Sequence, residues 1–335
     1  MNTATSAHIN SVNRVYSDEN HSAFTDMCRF NDRLYLCFRT CPDGHGVFST
    51  SSIIIMASSD GSEWTRVHSF NVPNRDTRDP HFLIFREKLF LYTGTWLPSV
   101  EGELRDLNDH LGYAVLTKDG RSWEGPHLLE GTYGHYIWRA ASFGQTAYLC
   151  GRRRCGFRPN VESEKVQEEI EAVMLESDDG LVWRFAAFFN TDFGNETAFL
   201  FEPDGSVLAL ARGGGPQPAR ICRSSPPYAE WSRTNLDRNI GGPLLARWGN
   251  RYLVGGRKTL VADMVTNHGA FIEGQAITTL YWLQNDILHE IVELPSAGDN
   301  SYPGFIEIDE HRALVSYYSS HEGQASIYLA NLNLT

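Results

Sequence analysis

Arg39, Arg212 and Arg257 each stand at the end of a short apolar run that follows a turn, in the segments 33–39, 205–212 and 250–257. An arginine fork grips a carboxylate through two parallel charge-assisted hydrogen bonds, so arginines that converge would hold an anionic group. Arg78 and Arg139 extend that set, Arg139 because it follows Tyr136-Ile137-Trp138. Among the acids, Glu196 opens a run that is otherwise apolar, where a charge is costly unless it serves a purpose. Asp79 lies between Arg78 and Pro80. It is either a proton donor or a structural acid that Arg78 keeps ionised. His21, His45 and His135 fall in predicted loops or strand starts at one end of the molecule. Histidine titrates near neutrality, so these three would donate or accept a proton or bind substrate, with His45 the second candidate for the acid. There is no HxH or HExxH spacing, and the arginines would repel a cation, so neither a metal nor a cofactor is expected.

These residues need a scaffold that brings strand ends together, and the sequence repeats in a way that supplies one. The phrase S/T-x-D-G-x-x-W occurs at Ser58 to Trp64, Thr117 to Trp123 and Ser177 to Trp183, with start points 59 and 60 positions apart. A damaged fourth copy runs from Ser225 to Trp231. In step with it run six apolar segments, 33–39, 88–94, 145–152, 205–212, 250–257 and 310–317, each preceded by a turn signal that contains Asn, Asp or Gly in every case but Phe85-Arg86-Glu87. Short β-rich runs bounded by such turns are hairpins. Six hairpins recurring over about 55 residues predict an all-β fold, a six-bladed β-propeller of four-stranded antiparallel blades. The whole chain, 1–335, reads as one such domain. Helical periodicity is confined to 162–171, a charged stretch that reads as a short surface helix or a loop insertion. The repeated phrase itself is structural: its Asp would bond turn N–H groups and its Trp would pack beneath the turn.

Composition narrows the class of partner. The formal net charge is −12, which argues against nucleic acid and anionic membranes. No apolar stretch approaches a membrane span, and residues 1–12 lack the pattern of a signal peptide. The six cysteines show no paired spacing, so they read as reduced core residues of a cytoplasmic protein.

The repeated phrase resembles the Asp-box of the sialidase, or neuraminidase, superfamily of six-bladed propellers, also described as BNR-repeat proteins. The resemblance covers roughly residues 15–333. In the second half, Asn195-Glu196, Asp204-Gly205, Arg212, Arg257 and Ser301-Tyr302-Pro303 follow the order of a sialidase site. The resemblance implies Tyr302 as nucleophile, Glu196 as its general base, and Arg212 and Arg257 as part of a cluster for a substrate carboxylate. Free tyrosine, with a pKa of about 10, needs a carboxylate to take its proton. It also meets an anionic sugar without the repulsion a carboxylate nucleophile would suffer, and sialidases depart from the two-carboxylate scheme of other glycosidases. The first blade differs from the family: the segment 20–26 carries no arginine, and Phe38-Arg39-Thr40 carries no aspartate. Arg39, His45 and the run Asp76 to His81 stand there instead.

The expected function is therefore an exo-acting glycosidase that cleaves a terminal acidic sugar, sialic-acid-like or uronic. Tyr302 and Glu196 would act at the reacting carbon, Asp79 or His45 would donate the proton, and Trp96, Tyr136 or Trp138 would stack on sugar faces. A lyase acting on a uronate, with Tyr302 or a histidine as base, and a non-catalytic sugar-binding propeller are the alternatives.

Overall fold

A computed structural model describes residues 6–99, 106–158, 167–215, 217–260 and 276–334. Its strands form six separate four-stranded antiparallel sheets. Counted from the axis outward, the first two strands of each sheet are His21–Phe30 and Arg33–Cys41 in blade 1, Asp76–Phe85 and Lys88–Trp96 in blade 2, and Tyr136–Phe143 and Thr146–Arg154 in blade 3. They are Thr197–Phe201 and Val207–Ala211 in blade 4, Arg238–Trp248 and Arg251–Leu260 in blade 5, and Asn300–Glu307 and Arg312–Ser319 in blade 6. The N-terminal strand Ala7–Tyr16 is the outermost strand of blade 6, paired with Ser326–Leu334, so the two ends of the chain close the ring in one sheet. The six apolar segments of the sequence are thus the second strands. Of the stretch 162–171, residues 162–166 lie outside the described residues, 167–169 form a turn, and Ile170 begins a strand. Among the described residues there is no α-helix, and hence none long and apolar enough to cross a membrane.

Burial follows the distance from the axis. The inner strand Asp76–Phe85 is buried at every position but one, whereas the outer strand Glu124–Leu128 of the same blade is exposed throughout. Neither face of a blade meets water near the axis, so the faces pack on each other. Cys37, Ile53, Ile55, Phe82, Leu89, Leu91 and Val115 fill the seam between blades 1 and 2. Cys37, Cys41, Cys150 and Cys222 are buried, and all six cysteines are free thiols.

The repeated phrase turns the chain between the third and fourth strands of blades 1 to 3. In the first copy, Ser58 Oγ accepts from the N–H of Gly61 at 2.8 Å, and Asp60 Oδ1 accepts from Ser62 at 2.8 Å and Glu63 at 3.3 Å. The other two copies repeat this pattern. These N–H donors hold the Asp60 and Asp119 carboxyls down at about 2. Gly120 lies at φ +70°, and a Cβ there would meet Tyr35 Oη of blade 1 at 1.9 Å, so the glycine serves both the turn and the blade contact.

Five inner strands carry a bulge at the same level. The pairing register skips Phe24-Thr25, Asp79-Pro80, Trp138-Arg139, Gly242-Pro243 and Tyr302-Pro303. Proline has no N–H for the ladder, so three of these breaks are written in the sequence. The residue before each proline takes a left-handed backbone, φ +53° at Asp79, +61° at Gly242 and +54° at Tyr302. Phe24 does the same at +62°. The bulge re-aims these side chains toward the axis.

One ion pair holds the bulges together. Arg139 of blade 3 donates to Asp26 Oδ1 of blade 1 at 3.0 Å, to the Pro243 carbonyl of blade 5 at 2.9 Å and to the Pro303 carbonyl of blade 6 at 2.7 Å. Asp26 Oδ2 accepts from the Phe82 N–H of blade 2 at 2.9 Å. Asp26 is buried; burial alone would raise its carboxyl, but Arg139, His81 and Phe82 N–H pull it below the ordinary range. Replacing Asp26 with Asn leaves the buried Arg139 cation unpaired. The expected loss is about 3–5 kcal/mol of folding stability, measured by urea denaturation, with part recovered in the double variant Asp26→Asn/Arg139→Met.

Candidate active site

The second strands deliver side chains to one level of the axis because they pair residue by residue with the inner strands. Arg39 lies opposite Ala23, Gly94 opposite Arg78, Arg152 opposite Tyr136, Arg257 opposite Gly241, and Tyr318 opposite Ser301. In blade 4 the N–H of Arg212 bonds the Glu196 carbonyl at 3.0 Å and extends the same ladder.

Tyr302 and Glu196 meet across the axis. Tyr302 Oη donates to Glu196 Oε1 at 2.9 Å, and Arg212 Nη1 donates to Glu196 Oε2 at 2.6 Å. The Tyr302 ring is packed edge-on by Phe24 at 4.8 Å and Trp138 at 5.2 Å between centroids. Gly242 makes room for it: a Cβ there would meet the ring at 2.5 Å. Glu196 is pushed up by burial but held down to about 2 by Arg212 and Arg152, so it is an ionised acceptor. Burial and the Glu196 and Asp79 charges push the Tyr302 phenol well above its ordinary range, so it keeps its proton at rest.

Asp79 is the opposite case. Burial pushes its carboxyl up to about 7, and Glu196 and Asp76 add to the rise while Arg78 and Arg152 oppose it. Tyr136 Oη donates to Asp79 Oδ2. Two carboxyl groups that act on each other electrostatically are thus shifted in opposite directions, the condition for separate acid and base roles.

The arginines divide into two groups. Arg212, Arg257 and Arg152 lie at the axis; Arg257 donates to the Asn300 carbonyl at 3.0 Å, and Arg152 donates to Asn195 Oδ1 with its guanidinium 5.0 Å from the Tyr136 ring centre. Arg39, expected to bind substrate, is wholly buried, and its fork is spent on Asp76 at 2.9 Å and on the carbonyls of Gly44 and Gly46. Arg78 pairs with the same Asp76 at 2.9 Å and donates to the carbonyls of His45 and Gly46, so both arginines pin the loop after Cys41. Arg139 is spent on the axial ion pair below Trp138. None of these three has a fork free to turn on a ligand.

The histidines also separate. His21 Nε2 and His45 Nδ1 both lie against Asp299 Oδ2, at 2.8 and 2.6 Å, while Tyr318 Oη donates to Asp299 Oδ1 at 2.7 Å. His135 bonds the Tyr133 carbonyl at 2.9 Å and packs on Phe157, within blade 3 and without contact to Glu196 or Tyr302. The stacking role expected of Trp138 and Tyr136 gives way to burial: they are 1% and 2% exposed. Trp138 forms the floor under Tyr302, and Tyr136 bonds Asp79.

Sequence reading passed over Arg152, Asp299, Tyr318 and Asp26. Arg152 had a signal, since it ends segment 145–152 just as Arg212 and Arg257 end theirs. Asp299 and Asp26 act through partners far along the chain, and no local pattern marks them.

No protein-family model and no curated protein matches the sequence. Solved structures do match the fold. A protein of unknown function from Dyadobacter fermentans superposes with a TM-score of 0.76 at 21% identity, over 98% of this chain and 100% of that one. Trypanosoma rangeli sialidase, solved with sialic acid, gives 0.68 at 13% identity over 99% of this chain. A Hadza microbial sialidase gives 0.65 at 11% identity over 93% of this chain. The chain spans 59% of the T. rangeli enzyme and 65% of the Hadza one.

The opposed carboxyls have a measurable signature. Folded Asp79 keeps its proton up to about 7, whereas the unfolded chain releases it near 3.8. Stability therefore falls as pH rises from about 4 to about 7, on the order of 4 kcal/mol, and is level above. Glu196 works the other way: its contribution is present above 4.5 and is lost as pH falls toward 2. Asp79→Asn is expected to remove the slope between about pH 4 and 7 and to be more stable than the parent at about pH 8. Denaturation midpoints of both proteins across that range check this; parallel profiles would contradict it. The six-bladed propeller shared with these sialidases is the frame that holds both groups.

Proposed function

We propose that the protein is an exo-acting glycosidase that removes a terminal anionic sugar by double displacement. The observation that carries this reading is the hydrogen bond from Tyr302 Oη to Glu196 Oε1, and Asp79, whose buried carboxyl is pushed up to about 7, is read as the proton donor. The sugar's anionic group lies on Arg212, Arg257 and Arg152. At the axis Arg152, Arg212 and Arg257 stand with Glu196, three cations to one ionised acid, so an anion is favoured although the whole chain is acidic.

Binding also prepares the base. A substrate carboxylate competes with Glu196 for Arg212, and Glu196 becomes more basic as its partner is drawn away. Tyr302 oxygen then bonds to the anomeric carbon while its proton passes to Glu196. The bond from that carbon to the leaving oxygen breaks, its electron pair stays on the oxygen, and Asp79 protonates it. In the second step water attacks the same carbon and gives its proton to Asp79, and the departing Tyr302 oxygen takes its proton back from Glu196. The solved T. rangeli sialidase complexed with sialic acid supports an anionic sugar as ligand of this fold.

A second reading has one observation in its favour. Asp299 accepts from His45 Nδ1, which leaves the other ring nitrogen as a base, and His45 is exposed. Abstraction of the proton α to a uronate carboxylate would then eliminate the leaving group and leave a double bond in the product.

A panel of sialosides and uronides, with the products followed by mass and ultraviolet absorbance, separates the readings. Hydrolysis adds one water; elimination gives an unsaturated, absorbing product and none of the hydrolytic one. Glu196→Gln and Tyr302→Phe are each expected to lower kcat by about 10²–10⁴-fold. Arg257→Ala is expected to raise KM roughly 10–100-fold with a smaller effect on kcat. Full turnover by Glu196→Gln would remove the base from this account.

A further inference from the structure

Tyr136 is too buried to meet a sugar, yet its hydroxyl reaches the site's proton donor. We propose that Tyr136 is the positioning residue of that donor: it holds Asp79 Oδ2, so that Oδ1 is the atom that carries the proton to the leaving oxygen. The proposal rests on the reading of Asp79 as the acid.

Three features fix the arrangement. The backbone of Asp79 is set by its left-handed φ of +53° and by Pro80, which leaves the side chain little choice of direction. Its Oδ2 is taken by Tyr136, while Oδ1 is buried and has no hydrogen-bond partner among the described residues. The Tyr136 ring itself is wedged. The Arg152 guanidinium lies 5.0 Å from its centre, His110 and Trp96 flank it at 5.0 and 5.4 Å, and a Cβ on Gly94 would strike it at 2.9 Å.

The same arginine reaches the base. Arg152 Nη1 donates to Asn195 Oδ1, which also accepts the Glu196 N–H at 3.0 Å. Arg152 thus spans from the residue that holds the acid to the backbone of the base. The charged and titratable groups that face Asp79 are Arg78 and Asp76 from its own strand, Tyr136 and Arg152 from blade 3, Glu196 from blade 4 and Tyr302 from blade 6.

A phenol that donates to a carboxylate stabilises the ionised form. Tyr136 therefore favours the state of Asp79 left after the proton is delivered. Tyr136→Phe keeps the ring and removes only that bond, so Asp79 should hold its proton to higher pH and release it at greater cost. Two measurements test this. The first is the infrared carbonyl band of protonated Asp79 in the substrate-free protein, assigned by its loss in Asp79→Asn. Its titration midpoint should rise by about one unit or more in Tyr136→Phe. It should fall when a more acidic phenol, 3-fluorotyrosine, replaces Tyr136. A midpoint unmoved by both changes overturns the proposal.

The second measurement compares leaving groups. Alkyl glycosides, which need the acid, should slow roughly 10–100-fold in Tyr136→Phe, whereas 4-nitrophenyl glycosides should not. An equal loss on both assigns Tyr136 a packing role only and also overturns the proposal. If no glycoside is cleaved, the glycosidase reading fails, and the infrared titration still decides whether Tyr136 governs Asp79.

Discussion

The ion pair between Asp26 and Arg139 is the constraint on which the rest of the structure depends. A propeller blade is held to its neighbours mainly by apolar packing, which is strong but not directional. At the axis, one carboxylate and one guanidinium bring direction. Through them the inner strand of blade 1 is tied to blades 2, 3, 5 and 6. The acceptors on Arg139 include the carbonyls of Pro243 and Pro303, which belong to bulges. The pair therefore fixes the places where the strands leave their ladder, and with them the aim of Tyr302 beside Gly242.

Those bulges carry strain. A non-glycine residue in the left-handed region costs on the order of 1–2 kcal/mol. Phe24, Asp79 and Tyr302 all pay it at the axis. At the axis one carboxyl is pushed up by burial and another is held down by arginines. Environment, and not residue type, separates the proposed acid from the proposed base.

The blades were legible because they repeat. Turn residues and alternating apolar positions recur at a nearly constant spacing, and each second strand is visible in 33–39 and its counterparts. Arg212 and Arg257 were legible for the same reason, because strand ends at equal positions converge; Glu196 was legible as a charge opening an apolar run, and Tyr302 through the family resemblance. Arg39 shows where that logic stops. It occupies the position of Arg212 in its own blade, yet Asp76 from the next blade and two loop carbonyls absorb its fork. Whether an arginine is spent or available depends on a partner 37 residues away, and spacing carries no trace of it. Asp299 is hidden likewise, since His45 lies 254 residues from it along the chain. Arg152 was within reach of the repeat and was obscured by Arg153 and Arg154, which follow it directly.

The central claim is that Tyr302, held against Glu196 by the axial bulges, forms the bond to the sugar. Covalent trapping tests it most directly. The full chain would be incubated with 2,3-difluorosialic acid and, separately, with a 5-fluoro-uronyl fluoride, then digested and mapped by mass spectrometry. The account predicts a glycosyl adduct on Tyr302 that is absent in Tyr302→Phe and strongly reduced in Glu196→Gln. An adduct on Glu196 or Asp79, or hydrolytic turnover of an anionic glycoside by Tyr302→Phe at the parent rate, would contradict it.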